Sequence, residues 1–385
     1  MRKIYLDHSA TSPVRPEVAQ VMWQFLTEKF GNPSSLHSFG REAKENLENA
    51  RNQVANAINS QANEIIFTSG GTEADNMAIL GVAGRYADKG RHIITSAIEH
   101  HAVLHTCQNL EKQGFKVTYL PVDEYGIISM DDLQKALTPE TILITIMHAN
   151  NEVGSIQPIA QVGALARERA IIFHTDAVQS LGKLPIDVQK MNIDLLSASG
   201  HKIYGPKGVG FLYARKGVRL SSLVYGGAQE RKHRAGTENM PGIMGLGKAV
   251  ELVMGEMATE MPREAKLRDD LIKGLQERIT HVKLNGHPTQ RLAGNVNLSY
   301  EYVEGESILL ALDMAGIAAS SGSACTSGSI DPSHVLLAMG LSHEVAHGSV
   351  RMTLGRDNTE EDIQYVLEVL PPIVERFRKM SPLGQ

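Results

Sequence analysis

An α/β fold built on a seven-stranded, mostly parallel sheet, with a smaller α+β unit toward the C-terminus, is predicted by three features of this 385-residue sequence. Short runs rich in Ile, Val, Leu, Phe and Tyr recur along its first half, and several lack polar alternation, as expected of strands buried on both faces. Stretches with apolar residues at helical period separate most of these runs, the alternation that marks a parallel sheet covered by helices on both sides. One connection is too short to hold a helix.

The strand-like runs are EIIFT at residues 64–68, RHIIT at 91–95, KVTYL at 116–120, ILITIM at 142–147, IIFHT at 171–175, DLLSAS at 194–199 and VGFLY at 209–213. Residues 72–86, 102–113 and 159–169 read as intervening helices. The gap at residues 200–208 is shorter than the dozen or so residues a parallel crossover needs, so the last two strands are predicted to run antiparallel if they pair. Upstream, Ala43, Leu47, Ala50, Val54, Ala57 and Ile58 make one apolar stripe, an amphipathic helix over residues 41–58. Downstream, residues 247–279 read as mostly helical with an interruption at Pro262. A long bent helix is therefore expected to lead into a second, smaller unit that starts near residue 260. The last helix is expected to be capped by Thr359, with Asp362 three residues on as a capping-box variant.

Composition narrows the function. With 38 basic and 43 acidic residues the net charge is −5, which argues against a nucleic-acid binder. Hydrophobic residues at 42% and charged residues at 21% fit an ordinary folded protein rather than a disordered one. Two cysteines exclude a disulfide scaffold and, by themselves, a four-cysteine metal or iron–sulfur site. No apolar run approaches the roughly 18 residues that span a bilayer, so no membrane partner is expected. The start MRKIYLDHSAT has no apolar stretch after its two basic residues, so no signal peptide is expected and the expected compartment is the cytoplasm.

The most productive constellation lies late in the sheet. Asp176 and Gln179 follow the run IIFHT, while Ser199, His201 and Lys202 end or follow DLLSAS. Ligands of open α/β sheets bind at the carboxyl ends of strands, so both segments should face one crevice. A buried Asp opposite a Lys there suits pyridoxal phosphate: the Lys forms a Schiff base and the carboxylate keeps the ring nitrogen protonated. The alternative is a structural Asp and a solvated Lys. The stretch SGGTEADN at residues 69–76, between a strand and a helix, adds a candidate phosphate cup. Its glycines admit close backbone approach, the helix N-terminus offers free N–H groups, and Thr72 adds a hydroxyl. Read without its neighbours, it is equally an ordinary Gly-rich turn. His100, at the end of a third strand, is placed to stack on a flat ring and exchange protons near neutral pH. His101 and His105, at i and i+4, leave a metal site open as the competing reading, although no carboxylate or thiolate partner is obvious.

The two cysteines contrast. Cys107 stands in register with Val103, Leu104 and Leu110 and reads as a core thiol. Cys325 sits in SSGSACTSGS at residues 320–329, a run of small residues expected to be a mobile, solvated loop that suits a thiolate which must travel and react. It could equally be an idle surface thiol. Two other motifs point to different chemistries. His343-Glu344-Val345-Ala346-His347 matches the zinc-protease pattern, but Val350 and Thr353 stand where the longer version needs Gly and His. Residues 242–248 nearly match a P-loop, but Ala249 replaces the hydroxyl that holds magnesium and no strand precedes them.

Taken together, these motifs resemble the pyridoxal-phosphate-dependent cysteine desulfurases of the NifS/IscS type, in the class V aminotransferase superfamily of fold-type I enzymes. The resemblance runs essentially end to end: YLDHSAT (5–11), FGNPSS (30–35), TSGGTEADN (68–76), EHHAVL (99–104), NNEVGSIQPI (150–159), HTDAVQSLGK (174–183), SGHKIYGPKGVG (199–210), RAGTEN (234–239), SSGSACTSG (320–328) and VRMTLGR (350–356). The extended cysteine-bearing segment resembles the first subgroup of the family rather than the short-loop second.

The resemblance implies a homodimer that turns L-cysteine into L-alanine and passes the sulfur to an iron–sulfur scaffold or another acceptor protein. It implies a large cofactor-binding domain over residues 15–258, and a small domain of residues 1–14 and 259–385 that carries the catalytic-cysteine loop. Lys202 would bind the cofactor covalently, Asp176 would pair with the ring nitrogen, Gln179 with the ring oxygen, and His100 would stack on the ring. Gly71, Thr72, Ser199 and His201 would hold the phosphate, joined by Thr237 of the other subunit. Asn151, also counted among the cofactor's neighbours, and Arg351 would hold the substrate carboxylate. Cys325 would be the nucleophile, with no catalytic metal ion and at most transient contact between Cys325 and an iron–sulfur cluster. The rivals are a class V aminotransferase, which needs no thiol, and a zinc hydrolase built on residues 343–347.

Overall fold

The computed structural model describes residues 3–322 and 332–381. Its centre is a seven-stranded sheet in the order Ile65–Thr68, Gly210–Ala214, Leu195–Ser199, Ile172–Asp176, Thr141–Thr145, His92–Ser96, Lys116–Leu120. Each of the seven expected runs forms a strand, within one or two residues at its ends. Five neighbouring strands are parallel. Gly210–Ala214 pairs antiparallel with the strands on both of its sides, as the short connection before it requires. It lies between Leu195–Ser199 and Ile65–Thr68, so the latter points the same way as the parallel set. Six carboxyl ends therefore meet along one edge of the sheet.

Helices cover both faces. On one side Gly71–Tyr86 and His101–Glu111 bury Met77, Ile79, Val82, Val103 and Cys107 against the sheet. On the other, Ser38–Ala57, Ile159–Glu168 and the start of Met240–Arg278 pack Leu47, Val54, Val162 and Leu246 around Phe173 and Phe211. The helix Met240–Arg278 starts seven residues before the expected Gly247 and continues through Pro262 without a break. Its opening carries a start signal, with Asn239 accepting from the Gly242 N–H and Pro241 in the first turn. Glycines at 242, 245 and 247 obscure the helical pattern there. The near-match to a P-loop lies inside this helix.

A separate apolar cluster gathers Leu267, Leu271, Leu298, Val350, Val366 and Leu370, and it includes Ile4 and Leu6 from the N-terminus. These residues back a three-stranded antiparallel sheet, Ser349–Thr353, Asn295–Tyr300 and Val282–Leu284. Ile4 and Tyr5 pair parallel with Ile317 and Ala318. The last helix, Glu360–Met380, starts with the reciprocal Thr359–Asp362 cap that its sequence announces. Among the described residues, no helix is long and apolar enough to cross a membrane.

Candidate active site

The strand ends enclose a cavity of about 400 Å³. Gly71, Thr72, His100, Asn151, Asp176, Gln179, Ser199, His201, Lys202 and Arg351 all line it, although they are spread over 280 positions of the chain. Of the other two expected site residues, Thr237 is exposed and stands outside the cavity of its own chain. Cys325 lies outside the described residues.

Each side chain has a local reason for its place. Asp176 ends one strand and Ser199 its neighbour, and Lys202 follows on a single turn, Gly200–Lys202. The Lys202 ammonium donates to the carbonyls of Ser9 at 2.5 Å and Ala10 at 2.8 Å. Asp176 accepts from the Val178 N–H at 2.8 Å. Burial raises its carboxyl to about 6, against the opposing pull of that N–H and of Lys202. His100 caps the helix His101–Glu111 by accepting from the Ala102 N–H at 3.1 Å. Burial first, then the nearby Lys202, His334 and His105, hold its imidazole down at about 4, so it is neutral at pH 7.

These residues fit pyridoxal phosphate. At the helix start Gly71–Tyr86, a Cβ on Gly71 would come within 2.6 Å of Val178 Cγ2, so only glycine leaves the turn open. The N–H groups of that first turn suit a phosphate dianion. Gln179 donates through Nε2 to the Ser9 carbonyl at 2.9 Å, while its Oε1 is buried without a partner at the cavity wall. The buried Asp176 is placed to meet a protonated ring nitrogen, and Lys202 to meet a carbonyl carbon.

Arg351 also lines the cavity. Its guanidinium donates to Asp7 Oδ1 at 2.8 Å, to the Asn151 carbonyl at 3.0 Å and to the Gly322 carbonyl at 3.4 Å. Its Nε is buried without a hydrogen-bond partner, so that N–H remains a donor for an incoming carboxylate.

Several members of the site were not legible as such. The carbonyls of Ser9 and Ala10 that receive Lys202 come from a segment some 190 residues away in sequence. Ser12, which carried no expectation, links Tyr204 and His201 by accepting from the Tyr204 N–H and donating to the His201 carbonyl. Asp75 lines the cavity with Oδ1 unpaired and 3.6 Å from Nε2 of the fully buried His174. Glu99 is buried beneath the site, accepting from Ser96 Oγ at 2.6 Å and the Met147 N–H at 2.9 Å. A polar residue inside an apolar run is the signal that could have flagged His174; Asp75 and Glu99 stand inside motifs already singled out for other residues.

Burial raises the Glu99 carboxyl from 4.5 to about 8. Between those values the folded chain keeps a proton that the unfolded chain releases, so this group makes stability fall as pH rises through the window. Urea titrations of native chain and Glu99→Gln from pH 5 to 8 should show the shallower fall in the variant. Equal slopes would contradict the buried neutral carboxyl.

His101 stacks on His105 and lies tilted against His334, each at 4.8 Å between ring centroids. Among the described residues, no group of three or more His, Cys, Asp or Glu side chains is placed to hold a metal ion. His343 and His347 sit at the surface on a five-residue helix. Cys107 is fully buried, and burial, with Glu99 and Glu111 adding, pushes its thiol up to about 12. Cys107→Ala is expected to cost about 1–2 kcal/mol in denaturant titration and to leave cofactor binding unchanged, since Cys107 does not line the cavity.

The chain belongs to the class-V aminotransferase family, whose profile matches residues 4–366. Within that class, proteins named cysteine desulfurase match it over nearly its whole length. It is 59% identical to "Cysteine desulfurase IscS" of Methanosarcina thermophila, over 99% of this chain and 94% of the relative. It is 58% identical to a protein of the same name from Clostridium botulinum, over 100% of this chain and 97% of the relative. Among solved structures, a "NifS-like protein" superimposes with a TM-score of 0.92 at 38% identity, covering 97% of this chain and all of that one. "SspA in complex with cysteine" superimposes with a TM-score of 0.82 at 39% identity, covering 91% and 99%.

Proposed function

We propose that the chain is a cysteine desulfurase that converts L-cysteine to L-alanine and carries off the sulfur as a persulfide on Cys325. The observation that carries this reading is the convergence of Lys202, Asp176 and Arg351 on one cavity in a chain with a second cysteine besides the buried Cys107. When bound, pyridoxal phosphate supplies a carbonyl that condenses with amines and a ring that accepts electrons from Cα.

The residues divide the remaining work. Gly71, Thr72, Ser199 and His201 would hold the phosphate, and the Asp176 carboxylate would keep the proton on the ring nitrogen. Gln179 Oε1 would meet the ring oxygen, and His100 would lie against the ring. Arg351, with Asn151, orients the substrate carboxylate. Lys202 Nζ would remove the substrate Cα proton and later return a proton to carbon. The Cys325 thiolate attacks the substrate sulfur: the S–S bond forms, the C–S bond breaks, and its electron pair stays with carbon. Alanine leaves, and the sulfur waits for a thiol acceptor.

The same reading makes the enzyme a homodimer, with Thr237 of each copy on the phosphate of the other. Phe30, Leu36 and Phe39 support it: all three are exposed in the single chain, and the two rings stack at 5.5 Å, an apolar surface of the kind an interface covers. It also divides the chain into a large domain, residues 15–258, and a small one, 1–14 with 259–385, supported by their separate apolar clusters. The sulfur acceptor is an iron–sulfur scaffold or another thiol protein. The assigned compartment is the cytoplasm, where such thiols are kept reduced.

The test is product stoichiometry. Holoenzyme given L-cysteine and excess dithiothreitol should release alanine and sulfide one for one, and stripping the cofactor should stop both. Transamination without sulfide would favour an aminotransferase instead.

A further inference from the structure

Residues 230–232 are under backbone strain outside the cavity of their own chain. Glu230, Arg231 and Lys232 have φ of 42°, 54° and 72°, three successive side-chain-bearing residues in the left-handed region. Only Gly, and occasionally Asn or Asp, visits that region routinely, and then singly. Such a run persists only where its surroundings over-determine it.

The surroundings here are a buried ion pair. Arg51, on the helix Ser38–Ala57, donates through Nη1 to Glu230 Oε2 at 2.7 Å and through Nη2 to Oε1 at 2.9 Å. Both side chains are only 3% exposed. Glu230 Oε2 also accepts from the Phe67 N–H at 3.0 Å, and Arg51 donates to the Ile65 carbonyl at 2.9 Å. Arg231 reaches the same carbonyl at 2.6 Å. The turn is thus fixed to the strand Ile65–Thr68, which leads directly into the phosphate cup. Four residues on, Arg234 Nε donates to Glu73 Oε1 at 2.8 Å, and Glu73 Oε2 accepts from the Ser69 N–H at 2.8 Å. The segment is fastened on both sides of the cup, and it ends at the exposed Thr237.

We propose that the Arg51–Glu230 pair is a positioning device: it holds residues 230–232 in their left-handed path and so aims Thr237 at the cofactor phosphate of a second copy. This rests on the shared-site reading above. Neither residue touches the cofactor; each acts through the turn.

Breaking the pair at one end leaves a buried charge unmatched, whereas replacing both ends with apolar groups avoids that. The informative variant is therefore Arg51→Met with Glu230→Met, compared with Thr237→Ala and the triple variant. Pyridoxal phosphate affinity is measured by equilibrium dialysis of each dimer, with thermal melting as the folding control. The double variant and Thr237→Ala should each lose about tenfold in affinity, the effect of one hydrogen bond to a charged group. The triple variant should lose no more than either, because all act through one contact. Native affinity in the double variant, or losses that add in the triple, would overturn the proposal. Native affinity in Thr237→Ala would also overturn it, while alanine formation separately reports whether the desulfurase reading stands. If the double variant does not fold, Arg51→Leu with Glu230→Leu, which also removes both charges, takes its place with the same expectations.

Discussion

Lys202→Ala should lose all measurable turnover of L-cysteine while the chain stays folded. The lost proton transfer alone is worth roughly 10²–10⁴-fold, and the covalent hold on the cofactor goes with it. The ammonium is hydrogen-bonded to the Ser9 and Ala10 carbonyls. Its removal leaves two acceptors at a cavity edge, a cost of about 1–2 kcal/mol that a domain of this size tolerates. The phosphate cup is untouched, so pyridoxal phosphate should still bind, reversibly. Borohydride reduction followed by peptide mapping should find the cofactor's mass on the peptide carrying residue 202 in the native chain and on no peptide of the variant. Cofactor fixed to another lysine, or residual turnover near native, would remove Lys202 from the centre of the account.

Cys325→Ala should separate binding from sulfur transfer. The substitution deletes a thiol but none of the groups that hold the cofactor or orient the substrate carboxylate, all of which are contributed by other segments. L-cysteine should therefore still perturb the cofactor's absorbance, with an unchanged concentration dependence, while sulfide release falls to the background of free pyridoxal phosphate. Cys107→Ala provides the control, since its buried thiol, held at about 12, has no thiolate to offer at neutral pH. Undiminished alanine formation by Cys325→Ala would overturn the nucleophile and leave the cofactor site standing.

The parts of the molecule that were legible in advance are those where one physical signal dominates. Strands such as Ile172–Asp176 and Leu195–Ser199 are buried on both faces, so their apolar runs speak for themselves. The antiparallel insertion of Gly210–Ala214 followed from nothing more than a short connection. Strand-end residues such as Asp176 and His100 could be read because sheet topology fixes where strand ends face. The wall formed by Ser9 and Ala10 could not be, because it works through backbone carbonyls, which every residue has. Asp75 and His174 were hidden for another reason: a buried polar group looks like an interruption until its partners, Ser197 and Thr145 in the case of His174, are seen beside it. The early start of the helix Met240–Arg278 was missed where glycines at 242, 245 and 247 lowered the helical signal, although the Asn239–Pro241 cap was present.

The central claim is that substrate sulfur passes to one particular cysteine. Mass spectrometry of holoenzyme exposed briefly to L-cysteine without reductant tests it most directly. The account predicts one added sulfur atom on the peptide carrying Cys325, none on the peptide carrying Cys107, and one alanine released for each persulfide formed. A sulfur atom on Cys107, or alanine formed with both cysteines unmodified, would contradict it.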